Sequence, residues 1–218
     1  MKKAIITISG GIDSTLTAAI AKKEGYELYF LTVNYGQRNL EREINNTSFL
    51  AKYYEAKQHK IIDMTWLGNL GNSMITDSTI AVDPNNDHQI YVPFRNTCIL
   101  SAAIAWAETD LSIKKIYIGS DGESEEVCPD NSPQYINSIN ELIKVSVKNN
   151  KELEVVAPLN YLTKPEIIKK AVEYSVPLEH TWTCVSNSKR ACGLCDPCRA
   201  RKEAFEILGL NDPVEYEN

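Results

Sequence analysis

Residues 4–14 read AIITISGGIDS, so an apolar run, two glycines and the polar start of a second pattern follow one another directly. The run 4–8 favours a buried β-strand, and the stretch 14–23 favours a helix. Two glycines at such a junction let the backbone approach an anion, and the free amides at a helix start donate hydrogen bonds to it. This stretch therefore predicts a strand, a phosphate-binding loop and a helix in that order.

Apolar and helical patterns alternate along the rest of the chain. Four more runs rich in Ile, Val and aromatic residues predict strands at 28–33, 59–62, 116–118 and 153–156. Helical patterns occupy 14–23, 40–54, 96–108, 133–148 and 164–174, the last with Thr163 as its N-cap. Strand followed by helix, repeated, predicts an α/β fold with a Rossmann-like, doubly wound parallel sheet.

Composition narrows the class of protein. The chain has 218 residues, 43% of them hydrophobic, which favours a globular domain with a buried core. Its net charge of -6 argues against nucleic acid as the main partner. No apolar run approaches the length of a membrane span, and the start MKKAIITISGG lacks the pattern of a signal peptide. We therefore expect a cytoplasmic protein that does not bind membranes.

Within the predicted phosphate loop, each residue type has a use. Ser9 and Ser14 offer hydroxyl donors at either end of Gly10 and Gly11, and Asp13 suits Mg²⁺ that neutralises bound phosphates. The alternative is an ordinary tight turn whose Ser or Asp caps the next helix. The string resembles the PP-loop of the ATP-pyrophosphatase superfamily, whose members cut ATP between the α and β phosphates.

Four of the six cysteines lie within residues 184–198 in the pattern C-x7-C-x2-C-x2-C: Cys184, Cys192, Cys195 and Cys198. Four thiolates at this spacing can surround Zn²⁺ as a closed, structural site, and an iron–sulfur cluster uses the same ligands. Cys98 is interpreted as a buried thiol and Cys128 as an unassigned loop thiol. The chain is accordingly divided into an α/β domain at 1–180 and a zinc-binding segment at 181–210, followed by a loosely held tail at 211–218.

These motifs together resemble the 7-cyano-7-deazaguanine synthase family, and the resemblance covers residues 4–198. Besides the phosphate loop and the cysteines, four strings carry it: NYGQR at 34–38, VPFRN at 92–96, Pro158-Leu159 followed by Lys164 and Glu166, and TWTC at 181–184. The resemblance implies an adenine nucleotide alpha hydrolase-like fold that binds ATP. The nucleotide site it implies is Ser9, Gly10, Gly11, Asp13, Ser14 and Val33.

The resemblance also implies a reaction in two rounds. A 7-carboxy-7-deazaguanine carboxylate is adenylated and takes up ammonia to give the amide, and a second adenylation drives dehydration to the nitrile. With Asp13 recruiting Mg²⁺, the candidate cations for the departing phosphates are Arg38, Arg95 and Lys164. Each of them is alternatively a surface charge or an ion-pair partner. Members of the family are commonly dimers, so a homodimer is expected.

One segment departs from the family pattern. Where the family has D-[FY]-S-G-Y-P-D-C-R, residues 124–132 read SEEVCPDNS and keep only Pro129 and Asp130. The altered positions belong to the substrate side, so the sequence leaves open a paralogue that adenylates another deazapurine or carboxylate. A PP-loop enzyme that modifies tRNA and a module that binds ATP without turnover are further alternatives.

Overall fold

Five parallel strands form a sheet in the order β3-β2-β1-β4-β5. The computed structural model describes residues 2–83, 87–121, 128–186 and 188–217. The strands are β1 (Lys3–Thr7), β2 (Glu27–Asn34), β3 (Gln58–Asp63), β4 (Ile113–Ile118) and β5 (Glu154–Val156). Each overlaps a predicted strand, which confirms the parallel sheet.

Seven α-helices connect and flank these strands in the described ranges. They are α1 (Ile12–Lys23), α2 (Leu40–Tyr53), α3 (Thr65–Gly68), α4 (Arg95–Glu108), α5 (Pro133–Ser146), α6 (Lys164–Glu173) and α7 (Asp196–Ile207). The predicted Thr163 N-cap of α6 is confirmed, and its backbone amide donates to Glu166 Oε2 at 2.8 Å. None of the described helices is long and apolar enough to cross a membrane.

Helices cover both faces of the sheet. Ala4 and Ile6 of β1 pack against one apolar cluster, which includes residues of α1, α2, α6 and α7. The intervening Ile5 belongs to a second cluster, which includes residues of α4 and α5. Alternate residues of a strand point to opposite faces, so every inner strand is buried on both sides. The doubly wound arrangement predicted from the sequence is confirmed.

The C-terminal tail differs from the prediction of a loosely held segment. Asp212 accepts hydrogen bonds from Arg201 Nε at 2.7 Å and Arg201 Nη2 at 2.8 Å, and Arg201 is only 1% exposed. Tyr216 also donates to Asp212 at 2.5 Å, and residues 191 and 216 form a β-bridge. The polar, acidic composition of the tail suggested full solvation, but one of its carboxylates neutralises a buried arginine of α7, and this pairing holds the segment down.

We expect Asp212→Ala to lower the free energy of unfolding by about 3 kcal/mol, because it leaves the Arg201 guanidinium buried without its partner. For a chain of this size, that corresponds to a Tm lower by about 6–12 °C in a thermal melt. Glu215→Ala is the matched control in the same tail, since the Arg190–Glu215 pair is largely exposed. Equal melting temperatures for the two variants would show that the tail is loosely held after all.

Candidate active site

A cavity of about 540 Å³ opens at the carboxyl ends of β1, β2 and β4. In the strand order, β1 lies between β2 and β4. The chain runs from β1 to β2 and β3 on one side and then crosses back to β4 on the other, so the strand order reverses at β1. Such a switch point is where open α/β sheets bind ligands. Of the predicted site residues, the cavity walls include Ser9, Gly11, Asp13, Ser14, Val33, Arg95 and Lys164.

The loop between β1 and α1 has the geometry of an anion-binding turn. Gly10 has φ +78°, a conformation that side chains disfavour, and Gly11 is the extended N-cap of α1. Gly11 has no side chain that could cap α1, and its own amide donates to Ser9 Oγ at 3.4 Å. Amides of the first helical turn lack partners within the helix and are suited to phosphate oxygens, so a phosphate-binding role for this turn stays a prediction.

The two serines of the loop hold each other. Ser9 Oγ and Ser14 Oγ lie 3.2 Å apart, and Ser14 Oγ also accepts from the Ser9 amide at 3.2 Å. The loop is braced from outside by Trp182, whose amide donates to the Gly10 carbonyl at 2.8 Å. Both serines line the cavity, and their role as hydroxyl donors to phosphate stays a prediction.

Lys164 connects α6 to the phosphate loop. Its Nζ lies 2.9 Å from Asp13 Oδ1 and 2.7 Å from Asp121 Oδ2, and all three side chains are mostly buried. Burial alone would lower the pKa of Lys164, but the two carboxylates stabilise the ammonium and raise that pKa above its ordinary value. Lys164 is therefore a permanent cation at the place where phosphates would bind.

Arg95 reaches the cavity from the start of α4. Its Nη1 donates to the Tyr35 hydroxyl at 3.4 Å, and its guanidinium lies 5.4 Å from the centre of the Tyr35 ring. Next to it, the Asn96 amide donates to Asp130 Oδ2 at 2.9 Å. Asp130, which this chain shares with the family pattern, thus caps α4 and positions Arg95, because a carboxylate at a helix start satisfies its free amides.

Arg38 is not brought to the cavity with the other candidate cations. Its guanidinium donates to the backbone carbonyls of Asp77 and Ile80, and it is absent from the described residues that line the cavity. These contacts fix the polar loop that follows residue 76. The described contacts place the Arg38 guanidinium on backbone carbonyls of this loop, and its catalytic role stays a prediction.

Asp121 and Gly119 belong to the site and were not predicted from the sequence. Asp121 lies three residues beyond β4, and Gly119 immediately follows that strand. A Cβ added at Gly119 would lie 2.5 Å from the Ser14 amide nitrogen and 2.7 Å from the Asp13 carbonyl carbon. Only glycine lets the end of β4 lie this close to the start of α1. A polar Gly-Ser-Asp string after a strand is the signal that points to these residues, once β4 is known to pair with β1.

Gly119→Ala is expected to displace the first turn of α1 and to weaken ATP binding by at least about tenfold. Overpacking of this kind also costs about 1–3 kcal/mol of stability. Isothermal titration with ATP and a thermal melt measure the two effects. Unchanged ATP affinity would mean that the close approach of β4 to the phosphate loop has no role in nucleotide binding.

The four clustered cysteines converge on one point. Their Sγ atoms all lie within 4.8 Å of one another, and three of the four residues are buried. Backbone amides donate to these sulfurs, from Ser186 and Cys192 to Cys184 Sγ at 3.4 and 3.3 Å and from Cys195 to Cys192 Sγ at 3.4 Å. Such donors stabilise thiolates, which is the form that binds metal. The predicted cluster is thus assembled and could hold a metal ion.

Solved structures share this fold. One is a predicted subunit of tRNA methyltransferase from Methanocaldococcus jannaschii, with a TM-score of 0.52 and 17% identity over 97% of this chain and 90% of that one. Another is a 4-thiouridine synthetase in complex with RNA and bound ATP, with a TM-score of 0.51 and 17% identity over 94% of this chain and 53% of that one. At such identities, the likeness concerns the fold alone.

Sequence comparisons reach further than the fold. The 7-cyano-7-deazaguanine synthase of Chlorobium chlorochromatii is 40% identical over 99% of this chain and 96% of its own length. The 7-cyano-7-deazaguanine synthase 2 of Desulfitobacterium hafniense is 38% identical over 100% and 94%. The model of the family described as queuosine biosynthesis protein QueC matches residues 3–209. With both relatives aligned from end to end and the family model matched over nearly the whole chain, this protein belongs to the QueC family.

Proposed function

We propose that the protein converts 7-carboxy-7-deazaguanine and ammonia into 7-cyano-7-deazaguanine, a queuosine precursor, at the expense of two ATP molecules. The observation that carries the proposal is the phosphate loop with Lys164 and Arg95 on one cavity, in a chain that is 40% identical to a synthase of that name. The enzyme is accordingly an ATP-dependent carbon–nitrogen ligase.

The first step makes a carboxylate reactive. A carboxylate oxygen attacks the α-phosphorus of ATP, the bond to the bridging oxygen of the β-phosphate breaks, and pyrophosphate leaves. Negative charge builds on the departing phosphates, so fixed donors that face it lower the barrier. The amides of the α1 start and the Lys164 ammonium are suited to this role, and Arg95 is suited to hold the substrate carboxylate.

Ammonia then attacks the carbonyl carbon of the adenylate, AMP leaves, and the amide forms. In the second round the amide oxygen attacks another ATP, and loss of AMP with two protons from nitrogen gives the nitrile. Both rounds need the same arrangement of phosphate donors beside the reacting carbon, so one cavity serves both. Closing the cavity to water would prevent hydrolysis of the adenylate, and the apolar walls from Ile99 and Ile118 favour this.

Mg²⁺ is the ion that this donor set fits. Asp13 and Asp121 offer hard carboxylate oxygens beside the phosphate loop, and Mg²⁺ is usually held by one or two carboxylates together with substrate phosphates. When bound, the ion would neutralise phosphate charge. We propose that these two side chains hold it, with Lys164 between them as the resident cation.

For the cysteine cluster we propose a structural Zn²⁺. Tetrahedral zinc with Zn–S bonds of about 2.3 Å separates its sulfurs by about 3.8 Å. The Sγ separations, all within 4.8 Å, are close to that value, whereas a cube of four irons holds its cysteine sulfurs further apart. Four protein ligands leave no position for substrate, so the ion would stabilise the fold and take no part in the reaction.

The altered segment 124–132 supports a second candidate, a paralogue that acts on another deazapurine or carboxylate. Residues 124–127 lie outside the described residues. Of the others, Cys128 lines the cavity where the family pattern has an aromatic residue, and Ser132 caps α5 where it has an arginine. A smaller side chain on the wall and the loss of a cation both alter the groups available to a substrate.

The test is to incubate the purified protein with ATP, Mg²⁺, ammonium and 7-carboxy-7-deazaguanine, and to follow products by mass spectrometry. We expect AMP and pyrophosphate, with the amide appearing first and the nitrile after it. ADP as the spent nucleotide would overturn the proposed chemistry. Amide without nitrile, or AMP released only with another carboxylate, would favour the paralogue, and AMP released only with tRNA would favour a tRNA-modifying enzyme.

We also propose that the protein is cytoplasmic and forms a homodimer, as expected in the sequence analysis. The grouping of four Sγ atoms in a geometry that could hold a metal supports a reducing compartment, where cysteines are free to bind metal. Light scattering at the concentration used for assays measures the oligomeric state. A monomer that retains full activity would remove the dimer from the proposal.

A further inference from the structure

Glu43 is a carboxylate on the cavity wall that the reaction described above does not use. It lies in α2, is 8% exposed, and faces the same cavity as Gly11 and Tyr35. Acidic side chains are almost never this buried without a purpose that offsets the loss of hydration. Its position beside the phosphate loop suggests that the purpose is chemical.

The carboxylate of Glu43 is held as an acceptor. Gln37 Nε2 donates to Glu43 Oε2 at 2.8 Å and to the Val33 carbonyl at 3.0 Å, while Gln37 Oε1 accepts from the Tyr35 amide at 2.9 Å. The Gln37 amide therefore presents its NH₂ group to Glu43. Asn39 gives the carboxylate a second donor. A carboxylate accepts at about four lone-pair sites, so capacity remains for N–H groups of a ligand.

The surroundings of Glu43 set its proton affinity. Burial raises the pKa of Glu43 to about 7, although hydrogen bonds from Gln37 and Asn39 and the charge of Arg95 act in the opposite direction. Among the described residues, Arg95 of α4 and Tyr35 after β2 are the titratable groups that face it. A carboxyl that gains and loses a proton near neutral pH matches the requirement for a general base.

We propose that Glu43 is a catalytic residue that binds ammonium through its carboxylate and takes one proton from it, so that neutral ammonia attacks the adenylated substrate. This inference rests on the proposed function. One N–H proton of ammonium passes to Glu43, and the freed lone pair forms the C–N bond. The C–O bond to AMP breaks, its electron pair leaves on the phosphate oxygen, and the second excess proton passes from nitrogen to water.

A purely structural role makes a different prediction. If Glu43 only accepts hydrogen bonds from Gln37 and Asn39 and so stabilises the start of α2, its replacement should slow reactions with every nucleophile equally. If it deprotonates ammonium, its loss affects that nucleophile and spares one that is already neutral. Hydroxylamine is such a nucleophile at neutral pH, and it converts an acyl adenylate into a hydroxamate without a base.

The experiment compares Glu43→Gln with the wild-type enzyme in two assays, amide formation from ammonium and hydroxamate formation from hydroxylamine, both with 7-carboxy-7-deazaguanine and ATP. We expect Glu43→Gln to lower kcat/KM for ammonium by at least about 100-fold. Hydroxamate formation should stay within about threefold of wild type, because adenylation is intact. In the wild type, amide formation should rise with pH around the Glu43 pKa of about 7, since only the deprotonated carboxylate takes a proton. The wild-type rate should level off above that pKa, whereas the much lower Glu43→Gln rate should go on rising with pH, because it depends on ammonia that deprotonates in solution.

Thr47→Val is the matched control, because Thr47 is a fully buried polar residue one turn further along α2 that does not line the cavity in the described structure. It should leave both assays unchanged. Wild-type kcat/KM for ammonium in Glu43→Gln overturns the inference, and so does equal loss of amide and hydroxamate. If the wild-type enzyme itself releases no AMP with substrate and hydroxylamine, the proposed function fails and the inference fails with it.

Discussion

Lys164→Met is expected to lower kcat/KM for ATP by about 10³-fold, because the variant loses a fixed cation where negative charge develops during adenylation. The loss has two sources. The methionine cannot contact the departing phosphates, and it removes the ammonium that lies 2.9 Å from Asp13 and 2.7 Å from Asp121 and offsets their negative charge. Release of pyrophosphate in the presence of substrate measures the effect.

A double variant separates these two sources. Adding Asp121→Asn to Lys164→Met removes the negative charge of one of these two carboxylates, while the contact with the phosphates stays missing. We expect the double variant to stay at least about 100-fold below wild type, because contact with the phosphates is the larger contribution. Recovery to near the wild-type rate would mean that Lys164 only neutralises its two neighbours.

The control for Lys164 is Lys114→Met. Lys114 of β4 also forms an ion pair, with Glu152 at 2.8 Å, but that pair is on the surface and Glu152 is 81% exposed. We expect a change of less than about twofold in kcat/KM and a small change in stability. If Lys164→Met keeps more than a tenth of the wild-type kcat/KM, Lys164 has no place in the proposed chemistry.

The contrast between Ser9–Ser14 and Asp121 shows which parts of the site are local in the sequence. The phosphate loop is encoded by adjacent residues, so its strand, glycines and helix start were predicted together. Asp121 and Gly119 enter the site because β4 pairs with β1, a pairing over more than a hundred residues. Nothing in the stretch around residue 120 specifies that neighbour. Residues positioned by strand order therefore escape prediction from local patterns.

Arg38 and the C-terminus illustrate a second limit. A sequence motif identifies a residue but does not show which groups the end of a long side chain contacts. The Arg38 guanidinium donates to backbone carbonyls of a loop. The helix α7 was not predicted, because its first residues lie among the clustered cysteines. The helix nevertheless has a regular pattern, in which Ala204 and Phe205 are buried. The pairing of Arg201 with Asp212 depends on that unpredicted helix, so the anchored tail was missed as well.

Cys195→Ser is expected to abolish binding of one equivalent of metal and to lower the Tm by at least about 10 °C, since a structural metal site contributes several kcal/mol to folding. Cys195 is 1% exposed and is the N-cap of α7, so a lost ligand also loosens the start of that helix. Metal analysis of the purified variant and a thermal melt provide the measurement. Cys98→Ser, which changes a cysteine outside the cluster, is the control and should keep the metal.

Loss of the metal should also affect the structure of the phosphate loop. The Cys184 carbonyl accepts from Asn39 Nδ2 at 3.1 Å, and two residues earlier the Trp182 amide donates to the Gly10 carbonyl at 2.8 Å. Residues 182–184 thus join the cysteine cluster to the predicted phosphate loop. We expect that Cys195→Ser, studied below its own Tm, gains less thermal stability from ATP than the wild type does. A metal-free variant with the full stabilisation by ATP would show that the cluster supports the fold without positioning the loop, whereas a variant that still holds its metal would remove Cys195 from the ligand set.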